Sequence, residues 1–119
     1  MNNKVLIIED SQFMRLQIHD ALVAAGCKVV GEAADGKSAL EMISQVKPDI
    51  ITLDNILPDT EGVDLLKIIK STHPKIHVII ISSLGLQSII NDTLALGADY
   101  YLVKPFTPKE IQNVIDKII

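Results

Sequence analysis

One cysteine, Cys27, is all the sulfhydryl chemistry the chain has, and there is no tryptophan. A lone thiol builds neither a disulfide framework nor a cysteine-based zinc centre, and here it reads as a small core residue. No stretch approaches the roughly 18 uninterrupted apolar residues a membrane-crossing helix requires. The first apolar run, residues 5–8, is too short for a secretion signal and ends in acids, so a reducing cytoplasm is the expected setting. Basic clusters are missing too. With a formal charge of −4, direct contact with nucleic acid is not expected. Neither internal repeats nor low-complexity tracts interrupt the sequence, and one domain over residues 1–119 is expected, large enough for a core without staples.

What is present is aliphatic and alternating. Val5-Leu6-Ile7-Ile8 ends at Glu9-Asp10, and Ser11 then caps a helix with the stripe Met14, Ile18, Ala21, Leu22 and Ala25, stopped at Gly26. Residues 28–33 form a second strand. Asp35-Gly36 turns into a helix that carries Ala39, Leu40 and Ile43 on one face, and Lys47-Pro48 punctuates. Ile50-Ile51-Thr52-Leu53 is apolar enough for a strand covered on both sides, and it delivers Asp54 where the chain leaves the sheet.

Leu65, Leu66 and Ile69 mark a third helix that stops near His73-Pro74, and residues 77–81 form a fourth strand ending at Ser82-Ser83. A fourth helix carries Leu86, Ile89, Ile90, Thr93 and Leu94 and closes at Gly97. Residues 100–103 form the fifth strand, ending at Lys104-Pro105, where a cis peptide is worth checking. Thr107-Pro108-Lys109-Glu110 has the form of a capping box with proline first in the helix, ahead of the stripe Ile111, Val114, Ile115 and Ile118. Five strand–helix units with short joints predict a doubly wound parallel α/β sheet.

Ligands in such sheets gather outside the carboxyl ends of the strands. Those ends carry Glu9 and Asp10, Asp54, Ser82 and Ser83, and Lys104. Carboxylates brought that close repel each other, and raised pKa values or a bound cation relieves them. An all-oxygen set favours Mg²⁺ over zinc. A lysine and a hydroxyl beside an acid–metal cluster suit a transferring phosphoryl group, with a carboxylate as nucleophile.

This set of residues resembles the receiver domain of bacterial two-component response regulators, over essentially the whole chain. The resemblance rests on Glu9-Asp10, Leu53-Asp54, Pro58 with Gly62 beyond it, Ser82, and Lys104-Pro105-Phe106. It implies the flavodoxin-like strand order 2-1-3-4-5 with five helices, for which the chemotaxis receiver is a standing example. It implies Asp54 as phosphoacceptor, with Mg²⁺ held by Asp10, Asp54 and the main-chain carbonyl of Ile56, and by Glu9 through water. Lys104 would contact the phosphoryl group. Ser82 would move toward it, Ser83 being the alternative, and Tyr101 would follow as packed aromatic, switch or both.

The same resemblance implies a histidine kinase as phosphodonor, and a protein target reading the fourth helix, fifth strand and fifth helix. The likeness is nearest to stand-alone chemotaxis receivers, through residues 10–15, 31–33, 47–50 and 83–87. A monomer that acts by binding, without turnover of a separate substrate and without a membrane partner, is the expectation. A stand-alone shuttle in another phosphorelay is the alternative. Two departures stand out. Glu9 replaces the commoner aspartate, and Asn55-Ile56 with Leu84 crowds the path of a hydrolytic water, which implies slow self-dephosphorylation.

Other functions fit less well. A flavin-mononucleotide binder needs a glycine-, serine- and threonine-rich phosphate loop after the first strand, and this one reads Glu-Asp-Ser-Gln-Phe. An aspartyl phosphatase wants a second aspartate where Ile56 stands, and no nucleotide-binding glycine pattern exists. A pure scaffold has no need of the acids with the lysine. His19, His73 and His77 are scattered and read as structural or surface residues.

Overall fold

Each aliphatic run becomes a strand and each amphipathic stretch a helix, in a computed structural model that describes residues 3–118. The order is β1 (Lys4–Ile8), α1 (Gln12–Ala24), β2 (Lys28–Ala33), α2 (Gly36–Val46), β3 (Ile50–Leu53) and α3 (Gly62–Thr72). It continues with β4 (His77–Ser82), α4 (Gln87–Ala95), β5 (Tyr100–Val103) and α5 (Pro108–Ile118). All strand pairs are parallel, and the sheet runs β2-β1-β3-β4-β5. This is the flavodoxin-like order expected.

Because side chains alternate along a strand, one continuous apolar run feeds two cores. Leu6, Ile8, Ile51, Leu53, Val78 and Ile80 pack with Ala39, Ile43, Leu65, Leu66 and Ile69 of α2 and α3. Val5, Ile7, Ile50, Ile79 and Ile81 pack with Ile18, Leu22, Ile111, Val114 and Ile115 of α1 and α5. Cys27 is buried on the second face, where burial pushes its thiol pKa up.

The expected terminators are in place. Ser11 and Asp35 accept from Met14 and Ser38 main-chain N–H groups at 3.2 and 2.8 Å. Gly26 and Gly97, at φ 89 and 112, follow α1 and α4 in the left-handed conformation. Each sits in a pair of backbone bonds, Gly26 N–H to Val23 and Cys27 N–H to Leu22, Gly97 N–H to Leu94 and Ala98 N–H to Thr93. Thr107 and Glu110 cap α5 reciprocally, Glu110 N–H to Thr107 Oγ1 at 3.2 Å and Thr107 N–H to Glu110 Oε1 at 3.0 Å. The Lys104–Pro105 peptide is cis.

Three details of the apolar stripes differ from expectation. In α4 only Thr93 is buried, while Ile89 and Ile90 are half-buried and Leu86 and Leu94 are exposed. The reason lies in the topology: α4 packs against β5, an edge strand, and meets too little sheet to cover a full apolar face. Leu40 of α2 is exposed, and Met14, Ala25 and Ile118 are half-buried at the margin of their core.

Candidate functional site

Parallel strands leave the sheet along one rim, and the loops behind β1, β3, β4 and β5 meet there. Main-chain bonds extend the ladder one residue past each strand: Glu9 N–H to Ala33, Asp54 N–H to Ile8, and Lys104 N–H to Ser82, at 2.9, 3.1 and 2.8 Å. These bonds set where the three side chains start. One carboxylate oxygen from each of Glu9, Asp10 and Asp54 lies within 4.8 Å of the others. Glu9 is 1% exposed and Asp54 9%, while Asp10 faces solvent.

Lys104 reaches across the rim, its Nζ 2.6 Å from Glu9 Oε1 and 3.6 Å from Asp54 Oδ1. Buried acid of this kind is tolerated only when paired, and among the described residues Lys104 pairs with Glu9 and Asp54 while Asp10 has no ammonium partner. The Arg15 guanidinium is directed elsewhere, to the Glu9 and Asp10 carbonyls at 2.8 and 3.1 Å and to Glu32. The donor set fits a hard divalent cation, since it is all oxygen and carries excess negative charge. Both Glu9 oxygens are occupied, Oε1 by Lys104 and Oε2 by the Ser11 N–H at 3.1 Å. The Asp10 and Asp54 carboxylates accept no hydrogen bond among the described residues, which leaves them for direct ligation.

The loop after Asp54 is tied down at both ends. Asp59 accepts from Gly36 and Lys37 N–H groups at 2.8 and 3.0 Å, so it caps α2 from outside. Those two bonds hold its carboxyl below the usual carboxylate range. Gly62 N–H donates to the Asn55 carbonyl at 2.7 Å. A Cβ on Gly62 would stand 2.3 Å from the Asp54 carbonyl oxygen and 2.7 Å from Asn55 Cα, so this spacing beyond Pro58 admits only glycine without a backbone shift. Ile56 lies in this loop, its side chain 62% exposed, and its carbonyl takes no hydrogen bond among the described residues.

Ser82 is buried at the end of β4, where its Oγ accepts from Leu84 N–H at 3.1 Å. Ser83 is exposed. The Tyr101 hydroxyl donates to the Leu84 carbonyl at 2.6 Å and accepts from Asn55 Nδ2 at 3.1 Å. The structure therefore brings Glu9, Asp10, Asp54 and Lys104 together, with Ser82 at the end of the neighbouring strand and Tyr101 bonded to the loops behind it, whereas Phe106 packs against the second core. Sequence reasoning missed the parts played by Arg15, Asn55 and Asp59. The last had a readable signal, an acid in the loop beyond the strand. For the other two, nothing local indicated a partner.

The chain matches the response regulator receiver domain family over residues 5–116. It is 36% identical to the chemotaxis protein CheY of Thermotoga maritima, over 99% of this chain and 98% of that one. It is 31% identical to the sporulation initiation phosphotransferase F of Bacillus subtilis, over 100% of this chain and 95% of that one. Among solved structures, it superposes on a CheX–CheY complex with BeF₃ and Mg²⁺ from Borrelia burgdorferi with a TM-score of 0.90. That match has 32% identity and covers 98% of this chain and 89% of that one. With a parallel sheet in the order β2-β1-β3-β4-β5, an acid cluster faced by a lysine, and these full-length relatives, the chain belongs to the family of response regulator receiver domains.

Proposed function

We propose that the protein is a phosphoacceptor switch in which Asp54 receives a phosphoryl group from a histidine kinase. A carboxylate oxygen of Asp54 attacks phosphorus of the kinase's phosphohistidine. The new P–O bond forms as the P–N bond breaks, and the imidazole leaves with the electron pair. Asp10 and Asp54 would hold Mg²⁺ directly, with Glu9 through water and Ile56 through its carbonyl. When bound, that ion supplies positive charge to the phosphoryl oxygens. Lys104 offers its ammonium to the same oxygens, exchanging its bond to Glu9 for one to the incoming group. Ser82 donates its hydroxyl proton, and Tyr101 transmits the change.

The readout surface is the face of α4, β5 and α5. Its support is the unburied apolar material there, Leu86, Leu94 and Val103, which a protein partner would cover. The added phosphate brings close to two negative charges and biases that surface. The protein works as a cytoplasmic monomer that binds its target and turns over no separate substrate. Chemotaxis signalling toward a target such as the flagellar motor switch is the favoured context, on its likeness to chemotaxis receivers. A shuttle in another phosphorelay is the second reading, on the likeness to the sporulation phosphotransferase.

The observation that carries the proposal is the meeting of Asp54 with two further acids and Lys104. Mg²⁺ with beryllofluoride or acetyl phosphate should change the amide spectrum of the wild-type protein. Asp54→Asn should abolish that change. An unresponsive wild type, or an equally responsive Asp54→Asn, refutes the assignment. Pull-downs with resting and activated protein against flagellar-switch components separate the two contexts.

A further inference from the structure

Behind the phosphoacceptor, hydrogen bonds join the loop after β3 to the loop after β4. Asn55 Nδ2 donates to the Tyr101 hydroxyl at 3.1 Å, and that hydroxyl donates to the Leu84 carbonyl at 2.6 Å. Leu84 N–H in turn donates to Ser82 Oγ at 3.1 Å. The tyrosine has one proton and gives it to Leu84, so from Asn55 it must accept, which orients the carboxamide with its nitrogen toward the ring. Asn55 is 6% exposed and its Oδ1 is buried without a partner among the described residues. A buried carboxamide that forgoes one acceptor bond is costly, and the bond to Tyr101 is what this orientation secures.

The backbone beneath is fixed, because the Asn55 carbonyl accepts from Gly62 N–H at 2.7 Å and the residue directly follows Asp54. At the far end, a serine oxygen that accepts from Leu84 N–H keeps its own proton for donation.

We propose that Asn55 is a positioning residue for the switch: its carboxamide holds the Tyr101 hydroxyl on the Leu84 carbonyl, which seats the β4–α4 loop and Ser82 before any phosphate arrives. The inference rests on the phosphoacceptor reading for its purpose, but its geometry stands without it. Tyr101 is thus held from two sides, one of them covalently next to Asp54. A shift of that strand end reaches the ring directly, in addition to any route through Ser82.

The test uses full-length protein labelled with 3-fluorotyrosine, its two resonances assigned with Tyr101→Phe. In the resting protein without Mg²⁺, Asn55→Leu should shift and broaden the Tyr101 signal while leaving that of Tyr100 in place. The Asn55 side-chain amide proton should be protected from exchange in wild type and lose that protection in Tyr101→Phe, a readout that needs no Asn55 variant. Beryllofluoride affinity should fall about five- to tenfold in Asn55→Leu, the size of one lost hydrogen bond. Added to Tyr101→Phe, the same change should cost nothing further. An unmoved Tyr101 resonance in folded Asn55→Leu, an amide indifferent to Tyr101→Phe, or effects that multiply in the double variant overturns the proposal. Should the wild type ignore beryllofluoride, the phosphoacceptor reading fails, and the two resting-state measurements still decide the role of Asn55.

Discussion

Ile56 and Thr52 sit four residues apart and place their side chains in opposite surroundings. Ile56 projects into solvent beside the site, with the exposed Leu84 across from it. A hydrolytic water approaching between them meets two apolar side chains that offer nothing to orient it. Asn55, grouped with them from sequence, is buried with its carboxamide turned to Tyr101. Ile56→Asn should therefore speed decay of the phosphorylated form by about tenfold, equivalent to about 1.4 kcal/mol of barrier, measured by following loss of the acyl phosphate. An unchanged rate removes the slow-decay hypothesis. Thr52 is the reverse case. It is buried in β3 among Leu22, Ile79, Ile81, Leu102 and Ile111, and its hydroxyl has no hydrogen-bond partner among the described residues. Thr52→Val keeps the shape and removes the orphaned group, so it should raise stability by about 1 kcal/mol in urea denaturation.

Among the elements, the joint between the β3–α3 loop and α2 depends on pH through Asp59. Asp59 closes the N-terminus of α2 through two main-chain N–H groups, bonds that favour its ionised form. Its pKa is lower folded than unfolded, so its stabilising effect is present above the unfolded value near ~4 and lost as pH falls through the folded value. Asp59→Asn should lower the thermal midpoint at neutral pH, and the gap from wild type should close progressively in acid. A gap independent of pH would show that the carboxylate charge is not what matters. Elements also differ in how readable they are. The N-terminal caps of α1, α2 and α5 are local chemistry, a hydroxyl or carboxylate within three residues of its N–H partner. Burial of α4 is not, because its apolar spacing cannot reveal that the neighbouring strand is the sheet's edge.

Across the whole chain, the two cores hold a rim of like charges together, and a cation bound there would relieve that tension. If Asp10 and Asp54 ligate Mg²⁺ in the folded state only, the ion should stabilise the protein by about 2.7 kcal/mol at one hundred times its dissociation constant. Asp10→Asn should remove most of the Mg²⁺-dependent rise in melting temperature. A rise that survives in Asp10→Asn puts the ion elsewhere. The order of elements and the residues at each strand's end were legible along the chain, because apolar period and end position are properties of neighbouring residues. Which partners those residues take was not. Lys104 pairs more closely with Glu9 than with Asp54, and Asn55 turns inward to Tyr101. Such pairings join residues as many as 95 positions apart. They depend on strand register and on side-chain directions that arise when both faces of the sheet are packed.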